Sequence, residues 1–393
     1  MVERLRVLAV GHSYLVALNR GALREVANNS NYQVTVAAPE RFVTEWGRME
    51  CQPEEIGSAL NVVTIPVSCG GLMHLFRYDR DVLCEILVRR QFDVVHIWEE
   101  PYIFSGYQVA KAVRLTCPDA ALCVQTAQNL AKRYPPPFSM FERYCMTVAD
   151  GWIACGSLVY ENFVAKGYAG EKGIVLPLHV DTSLFRKPKV GELELIRNDL
   201  GLAGFVLGYL GRLTPAKGIR ILLAALERAQ FLSRREWSLL IVGSGPLRGE
   251  IERWSRDRGW SERVKIAFAP HAEVPRFLRA MDVLVVPSVS TRGWKEQFGR
   301  VVIEAFASGV PVIASNCGEL PHVIGDAGWI VPEGDAEALA AAIESALADP
   351  DRRAAVARKG LARVNEYSTS TVGGRFAQFY RELVDARRGA RAA

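Results

Sequence analysis

Two glutamates, Glu296 and Glu304, stand separated by seven residues around Gly299 and Arg300. Gly299 permits close backbone approach, and Val301, Val302, Ala305 and Phe306 supply the apolar side of a helix opening near Arg300. The first N–H groups of such a helix have no partner within it and make an anion site suited to a diphosphate. Glu296 precedes the helix and Glu304 lies about one turn inside it. They are therefore not neighbours, as an acid–base pair would be, but flank the anion site as hydroxyl acceptors for two sugars would. By itself the spacing is better read as two solvated glutamates around an ordinary helix start.

A second group of residues is basic. In GYLGRLTPAKGI (208–219) Gly211 ends a strand, and Arg212 and Lys217 project from the loop before a helix expected near Lys217–Gly218. A guanidinium and an ammonium at this spacing form a clamp for two phosphates. A third strand–glycine–helix unit, IVGSGPLRGEIE (241–252), carries Gly243 and Gly245; alone, such a turn is more often only a tight connection.

The first half of the chain is less explicit. VLAVGHSYLVALNR (7–20) has a strand, Gly11 and a helix-like stretch. In VVHIWEEPY (94–102) His96 closes a strand ahead of Glu99 and Glu100, where it positions a ligand or serves as a satisfied structural histidine. Gln128 and Asn129 suit hydrogen bonds to sugar hydroxyls but cannot act as a base. Lys132 and Arg133 meet either an acidic or phosphate-bearing acceptor or solvent.

The elements that must hold these residues are legible as short, continuous, β-branched runs alternating with helical patterns. In the first half they are 5–10, 33–38, 62–67, 93–98, 121–126, 151–155 and 173–177; in the second, 205–210, 238–243, 264–269, 282–287, 310–315 and 328–332. Continuous rather than alternating apolar strands are those buried on both faces of a parallel sheet. Strand–helix alternation gives right-handed βαβ crossovers. The expectation is an α/β chain of two Rossmann-like, doubly wound parallel-sheet domains with a cleft between them. The polar stretch 184–204, with Pro188 and Gly191, is read as the linker. It separates a first domain (1–183) from a second domain (205–370), and 371–393 forms a last helix with a basic tail.

Composition narrows the classes. A net charge of +5 over 393 residues leaves room for a basic cleft but does not describe a nucleic-acid binder. The eight cysteines are scattered, without a Cys-x-x-Cys pair, and read as thiols of a reducing compartment. MVERLRVLAV is charged at once and lacks the apolar core of a signal peptide, and no run approaches the roughly 18 apolar residues of a membrane span.

With the whole segment 296–335 in view, the chain resembles the retaining glycosyltransferases of family 4, which have the GT-B fold. Their signature is a glutamate pair at this spacing followed by a Gly-x-Pro-hydrophobic strand, matched here by Glu296, Glu304, Gly309, Pro311 and Val312. The resemblance implies that Glu296 contacts donor-sugar hydroxyls and Glu304 the ribose. It implies that the backbone of Phe298, Gly299, Arg300 and Val301 lines the diphosphate and sugar, and that Arg212 and Lys217 stabilise the diphosphate as it leaves. Arg212, Lys217 and Glu296 are thus the expected catalytic set, with Gly211, Gly243 and Gly245 in donor-binding turns. The chain departs from the family in having one glycine, Gly11, where many members have two, Gln128 near the place of a cleft histidine, and His322 after Pro321.

The implied reaction moves a hexosyl group from a nucleotide-sugar co-substrate, a UDP- or GDP-sugar, to a sugar, glycolipid or polysaccharide, with retained anomeric configuration. No cofactor and no metal is expected. Asp79-Arg80-Asp81 has the letters of the Asp-x-Asp metal motif of other transferases, but it follows no strand and reads as a helix cap, as does Asp349 before Pro350. The expected setting is the cytoplasm, with Arg381, Arg387 and Arg388 as a hint of contact with the inner membrane face. Two rivals stay open. One is an inverting transferase or epimerase on the same scaffold, for which His12 and His96 are the base candidates; the other is a non-catalytic nucleotide-sugar-binding subunit.

Overall fold

The computed structural model describes residues 4–44, 47–229 and 235–392. It resolves into two compact units, residues 1–179 with 369–393, and residues 180–368.

The first unit is a seven-stranded sheet whose strands are β1 (Leu5–Val10), β2 (Tyr32–Pro39), β3 (Asn61–Ile65), β4 (Val94–Ile97), β5 (Ala121–Thr126), β6 (Gly151–Ala154) and β7 (Gly173–Val175). Every pairing is parallel, in the order β7-β6-β5-β4-β1-β2-β3. The strands are apolar on both sides because helices cover both faces. In β1, Leu5, Val7 and Ala9 join one core with helix α1 (Gly21–Asn28), while Leu8 and Val10 join the opposite core with helices α2 (Arg80–Arg90) and α3 (Phe104–Thr116).

The second unit repeats the plan with six strands: β8 (Phe205–Leu210), β9 (Trp237–Val242), β10 (Val264–Ala267), β11 (Val283–Val286), β12 (Val312–Ser315) and β13 (Gly328–Val331). They run parallel in the order β10-β9-β8-β11-β12-β13. All the strands read from the sequence are present within a residue or two of the expected ends. Two short antiparallel ribbons in the first unit, Arg41–Thr44 with Gly47–Glu50 and Val67–Ser68 with Arg77–Tyr78, were not legible.

The units divide elsewhere than polarity suggested. The 184–204 stretch read as a linker contains a helix, Glu192–Leu200, that belongs to the second unit. Its Ile196 is buried, and its Arg197 donates to Asp282 (2.8 Å) and to the Ala280 carbonyl (3.0 Å). The last helix, Thr369–Ala392, belongs to the first unit. Val372, Phe376, Phe379, Tyr380, Leu383 and Val384 enter the core beside α1. Arg387 bonds to Asp150 and to the Asp119 carbonyl (3.1 Å), Arg381 lies over the Tyr32 ring (5.6 Å), and Arg388 reaches Asp93 (4.0 Å). The three arginines offered as a membrane-facing hint thus have partners in their own unit. Among the described residues no helix is long and apolar enough to cross a membrane.

Asp79 and Asp349 do cap helices: Asp79 accepts from the Asp81 and Val82 N–H groups (3.1 and 3.0 Å), and Asp349 from that of Arg352 (2.8 Å). The eight cysteines form no disulfide; four are buried and Cys69 is exposed.

The last helix is a structural part of the first unit, so Phe376→Ala should destabilise that unit by about 3 kcal/mol, the cost of an aromatic cavity. Denaturant melts would report it; a loss under about 1 kcal/mol would mean that the helix contributes little to the core.

Candidate functional site

In each sheet the order reverses beside the first strand, between β1 and β4 and between β8 and β11. In sheets of this kind ligands bind outside the carboxyl ends of the strands at that reversal. The chemistry-bearing residues gather there in both units.

In the second unit β8 ends at Leu210, and the turn after it is stitched to the turn after β9. The Gly211 N–H donates to the Val242 carbonyl (3.0 Å), Leu213 N–H to Ser244 (2.8 Å) and Leu247 N–H to Leu213 (3.1 Å). A side chain at Gly243 would put its Cβ 1.9 Å from the Gly211 carbonyl oxygen, which explains the glycine. Gly245 follows in the same turn. The Tyr209 hydroxyl donates to the Arg212 carbonyl (2.7 Å), and Arg212 itself is half-buried.

The loop then makes one turn of 3-10 helix, Pro215–Lys217, before the helix Ile219–Arg228. Between them Gly218 has φ +72 and lies against β11's exit, where a Cβ would be 1.7 Å from the Pro287 carbonyl oxygen. This approach carries Lys217 to Glu296. Lys217 Nζ donates to Glu296 Oε2 at 2.6 Å, the Ser288 hydroxyl donates to the same oxygen at 2.9 Å, and the ammonium sits 4.7 Å from the centre of the Trp294 ring. Ser288 is fully buried and Glu296 is 6% exposed. The Glu296 carbonyl accepts from the Glu319 N–H (3.0 Å), fixing the loop. Lys217 and Glu296, expected from the sequence to serve separate tasks, form one ion pair with a buried carboxylate and a half-buried ammonium.

Gly299, in a left-handed conformation (φ 88), is the N-cap of the helix Arg300–Ala307, and no side chain caps it. Phe298 is buried and packs edge-on against Tyr367 (5.8 Å), so only its backbone is placed to meet a ligand. Arg300 and Val301 are half-buried in the first turn. Burial lowers the Arg300 guanidinium from its usual pKa, and the Glu304 carboxylate opposes that. Glu304, 3% exposed, has a partner the sequence did not suggest: His271 Nε2 lies 3.3 Å from its Oε1. Ser288, Trp294 and His271 carry no signal in the sequence, because each joins the site through a contact between distant segments.

In the first unit β1 leads into Gly11, whose N–H donates to Ala37 (3.2 Å). Short 3-10 turns over His12–Leu15 and Ala17–Arg20 precede α1, in place of a helix opening directly at the glycine. His12 binds Glu99 twice: its N–H donates to Oε1 and its Nδ1 meets Oε2, both at 2.6 Å. The Tyr78 hydroxyl donates to Oε1 at 2.6 Å. Glu99 is 1% exposed. Burial alone would lower the His12 pKa; the Glu99 charge and hydrogen bond, helped by Glu100, raise it above its ordinary value.

His96 does not belong to this group. It is fully buried, its Nδ1 bonds to the Tyr380 hydroxyl (2.7 Å), and its ring packs on Phe376 of the last helix. Burial lowers its pKa to about 3. Of the two readings, the structural histidine is the one that fits. Gln128 is likewise occupied within its own loop: it donates to the Tyr134 hydroxyl (2.8 Å) and accepts from the Leu130 N–H (3.0 Å). No cluster of three or more metal-ligating side chains occurs among the described residues.

Residues 195–363 match the family model described as glycosyl transferases group 1. This segment contains Arg212, Lys217, Glu296 and Glu304. The segment that carries these residues is similar to the group 1 glycosyltransferases. An O-antigen chain mannosyltransferase B from Escherichia coli is 31% identical over 179 residues, covering 44% of this chain and 45% of that protein. A GDP-mannose-dependent alpha-(1-6)-phosphatidylinositol monomannoside mannosyltransferase from Mycolicibacterium smegmatis is 36% identical over 228 residues, covering 56% of this chain and 57% of the relative. The chain thus spans about half the length of the curated relatives it matches. Among solved structures, Anabaena Alr3699/HepE in complex with UDP aligns over 96% of this chain and all of its own, with TM-score 0.72 and 20% identity. That likeness is one of fold, and the fold is GT-B.

If the Lys217–Glu296 contact organises this site, a double-mutant cycle of Lys217→Met and Glu296→Gln should give a coupling of about 1–3 kcal/mol in unfolding free energy. Additive effects would mean that the two side chains do not depend on each other.

Proposed function

We propose that this chain transfers a hexosyl group from a nucleoside-diphosphate sugar, a UDP- or GDP-sugar, to a hydroxyl of a sugar, glycolipid or polysaccharide, retaining anomeric configuration and using no metal. The observation that carries the reading is the Lys217–Glu296 pair, brought together from 79 positions apart at the reversal point of the second sheet, within the segment that matches the family.

The roles follow from charge and placement. Lys217 keeps N–H donors beyond the one given to Glu296 and, with Arg212, supplies positive charge for the departing diphosphate. The first-turn N–H groups at Arg300 and Val301 meet the same charge. Such donors work most as negative charge builds on the leaving oxygen, lowering the barrier rather than only holding substrate. Glu296 accepts from hydroxyls of the donor sugar while anchored by Ser288, and Glu304 accepts from the ribose with His271 beside it. In a retaining front-face transfer the leaving phosphate assists the acceptor hydroxyl, so the second unit needs no protein base. The names of the relatives, which include mannosyltransferases acting on O-antigen chains and phosphatidylinositol monomannoside, support glycan or glycolipid acceptors. The cytoplasm, or the inner face of a membrane, remains the proposed setting.

Thermal melts with UDP, GDP and ADP, with and without EDTA, test the donor site. One nucleoside diphosphate at a hundredfold excess over its Kd should add about 2.7 kcal/mol of stability, insensitive to EDTA. No shift with any nucleotide would favour a non-catalytic subunit, and a shift abolished by EDTA would end the metal-free reading. Lys217→Ala should lower turnover on the order of 100-fold, as losing one preorganised donor does; unchanged turnover would remove Lys217 from the clamp.

A further inference from the structure

The contacts of Glu99 account for all of its visible hydrogen-bonding partners but leave one ring atom of His12 unassigned. Glu99 takes three donors, the His12 N–H, His12 Nδ1 and the Tyr78 hydroxyl, each at 2.6 Å. A carboxylate can only accept, so Nδ1 carries the proton, and in the neutral ring Nε2 holds a lone pair. The side chain is 24% exposed, and its ring is bonded to Glu99 through Nδ1. Phe42 and Phe76 hold the ring from two sides, at centroid distances of 5.5 and 5.7 Å. The ring is thus fixed in tautomer, in position and in tilt.

Its place in the fold is equally specific. His12 lies just past β1 and Glu99 just past β4; these strands are neighbours, with Val10 opposite Ile97 and the Trp98 N–H donating to the Val10 carbonyl (2.8 Å). This is the reversal point of the first sheet, where ligands of such sheets bind. A buried carboxylate costs folding free energy unless its bonds are complete. Here it is completed by three donors, one of them the Nδ1 of the His12 ring.

We propose that His12 is the acceptor-hydroxyl contact of the first unit: its Nε2 lone pair accepts a hydrogen bond from a hydroxyl of a hexoside or polyol, and Glu99 and Tyr78 are positioning residues that hold the ring for it. The inference rests on the glycosyl-transfer reading above and adds the residue that orients the acceptor. No bond is made or broken by His12 in this role. Hydroxyls are plentiful and weak ligands, so a fixed acceptor atom confers orientation rather than tight binding, and a misplaced hydroxyl loses rate steeply.

The groups facing the ring are Glu99 and Glu100, which carry charge, and Tyr78, Phe42 and Phe76, which do not. Protonation turns Nε2 from acceptor into donor. Acceptor use should therefore fall as pH drops through the His12 pKa, which the glutamates hold above its ordinary value. Removing the Glu99 charge by Glu99→Gln leaves burial to lower that pKa, so the acid limb should move to lower pH.

The test measures transfer from the nucleotide sugar whose nucleotide gives the thermal shift, to a panel of octyl α-mannoside, octyl α-glucoside and myo-inositol. His12→Gln should raise the acceptor KM or lower kcat/KM for the acceptor at least tenfold, leaving the nucleotide shift intact. Glu99→Gln should displace the acid limb downward, and Tyr78→Phe should produce a smaller loss without moving the limb's direction. Unchanged acceptor kinetics in His12→Gln, or an acid limb unmoved in Glu99→Gln, overturns the proposal. Nucleotide binding by the native protein with no transfer to any member of the panel also overturns it for this acceptor class. If the native protein shows no nucleotide shift at all, the glycosyl-transfer reading has failed first, and the proposal falls with it.

Discussion

The contact on which the second unit's site depends is the ion pair of Lys217 with Glu296. Neither residue can be relocated without moving a different part of the frame. Lys217 is where it is because Gly218 lets the loop lie on the Pro287 carbonyl, and Glu296 because its own carbonyl is bonded to the turn before Leu320–Ile324. Burying two charges together is not in itself a source of stability, since desolvation opposes the Coulomb gain. What the pair does accomplish is electrostatic readiness: an ammonium is held in a half-buried place, and the carboxylate that holds it is fixed by a second donor, Ser288. A diphosphate arriving there meets charge that is already oriented.

The first unit solves the same problem with other residues. In both sheets a basic side chain from the loop after the first strand meets a buried glutamate from the loop after the strand beside it: Lys217 with Glu296, His12 with Glu99. In both a hydroxyl completes the carboxylate, from Ser288 and from Tyr78. The sheet topology imposes the correspondence, because the reversal leaves the loops of those two strands without a crossover helix between them. The chemistry differs with the base. A lysine stays charged and suits a phosphate, whereas a histidine tethered at Nδ1 presents a lone pair and suits a hydroxyl.

This division explains what could be read from the sequence. Strands buried on both faces leave continuous apolar runs, so all thirteen strands of the two sheets were visible, as were the helix at Arg300 and the glycine turns after β8 and β9. The donor-side residues lie in one compact motif, where spacing carries information. The partners Ser288, His271 and Tyr78 come from segments linked only by the fold, and nothing local marks them; Glu99 stood out beside His96, but not as the partner of His12. His96 was left between two readings for a simpler reason. It stands inside β4, where alternation turns its side chain to the face covered by the last helix, and the chain returns to that face only after residue 368. Polarity also misplaced the division at 184–204, because a helix that buries one apolar residue, Ile196, and binds its unit through charged groups such as Arg197 looks like a linker in composition.

The basic residues of the last helix complete the argument about charge. A positively charged tail is commonly taken as a surface awaiting an anionic partner, and the excess of +5 invites that reading. Here the arginines are engaged at home. Arg387 closes on Asp150, which also binds Arg114 and the Leu122 N–H, so one carboxylate ties the last helix, α3 and β5 together. Arg381 covers the Tyr32 ring, whose hydroxyl donates to the Ala377 carbonyl of the same helix. Their task is to fasten the end of the chain over the sheet that carries His12 and Glu99. The charge that acts on a ligand is the smaller part that the fold leaves at the reversal points, and its effect comes from where the strands end rather than from how much of it there is.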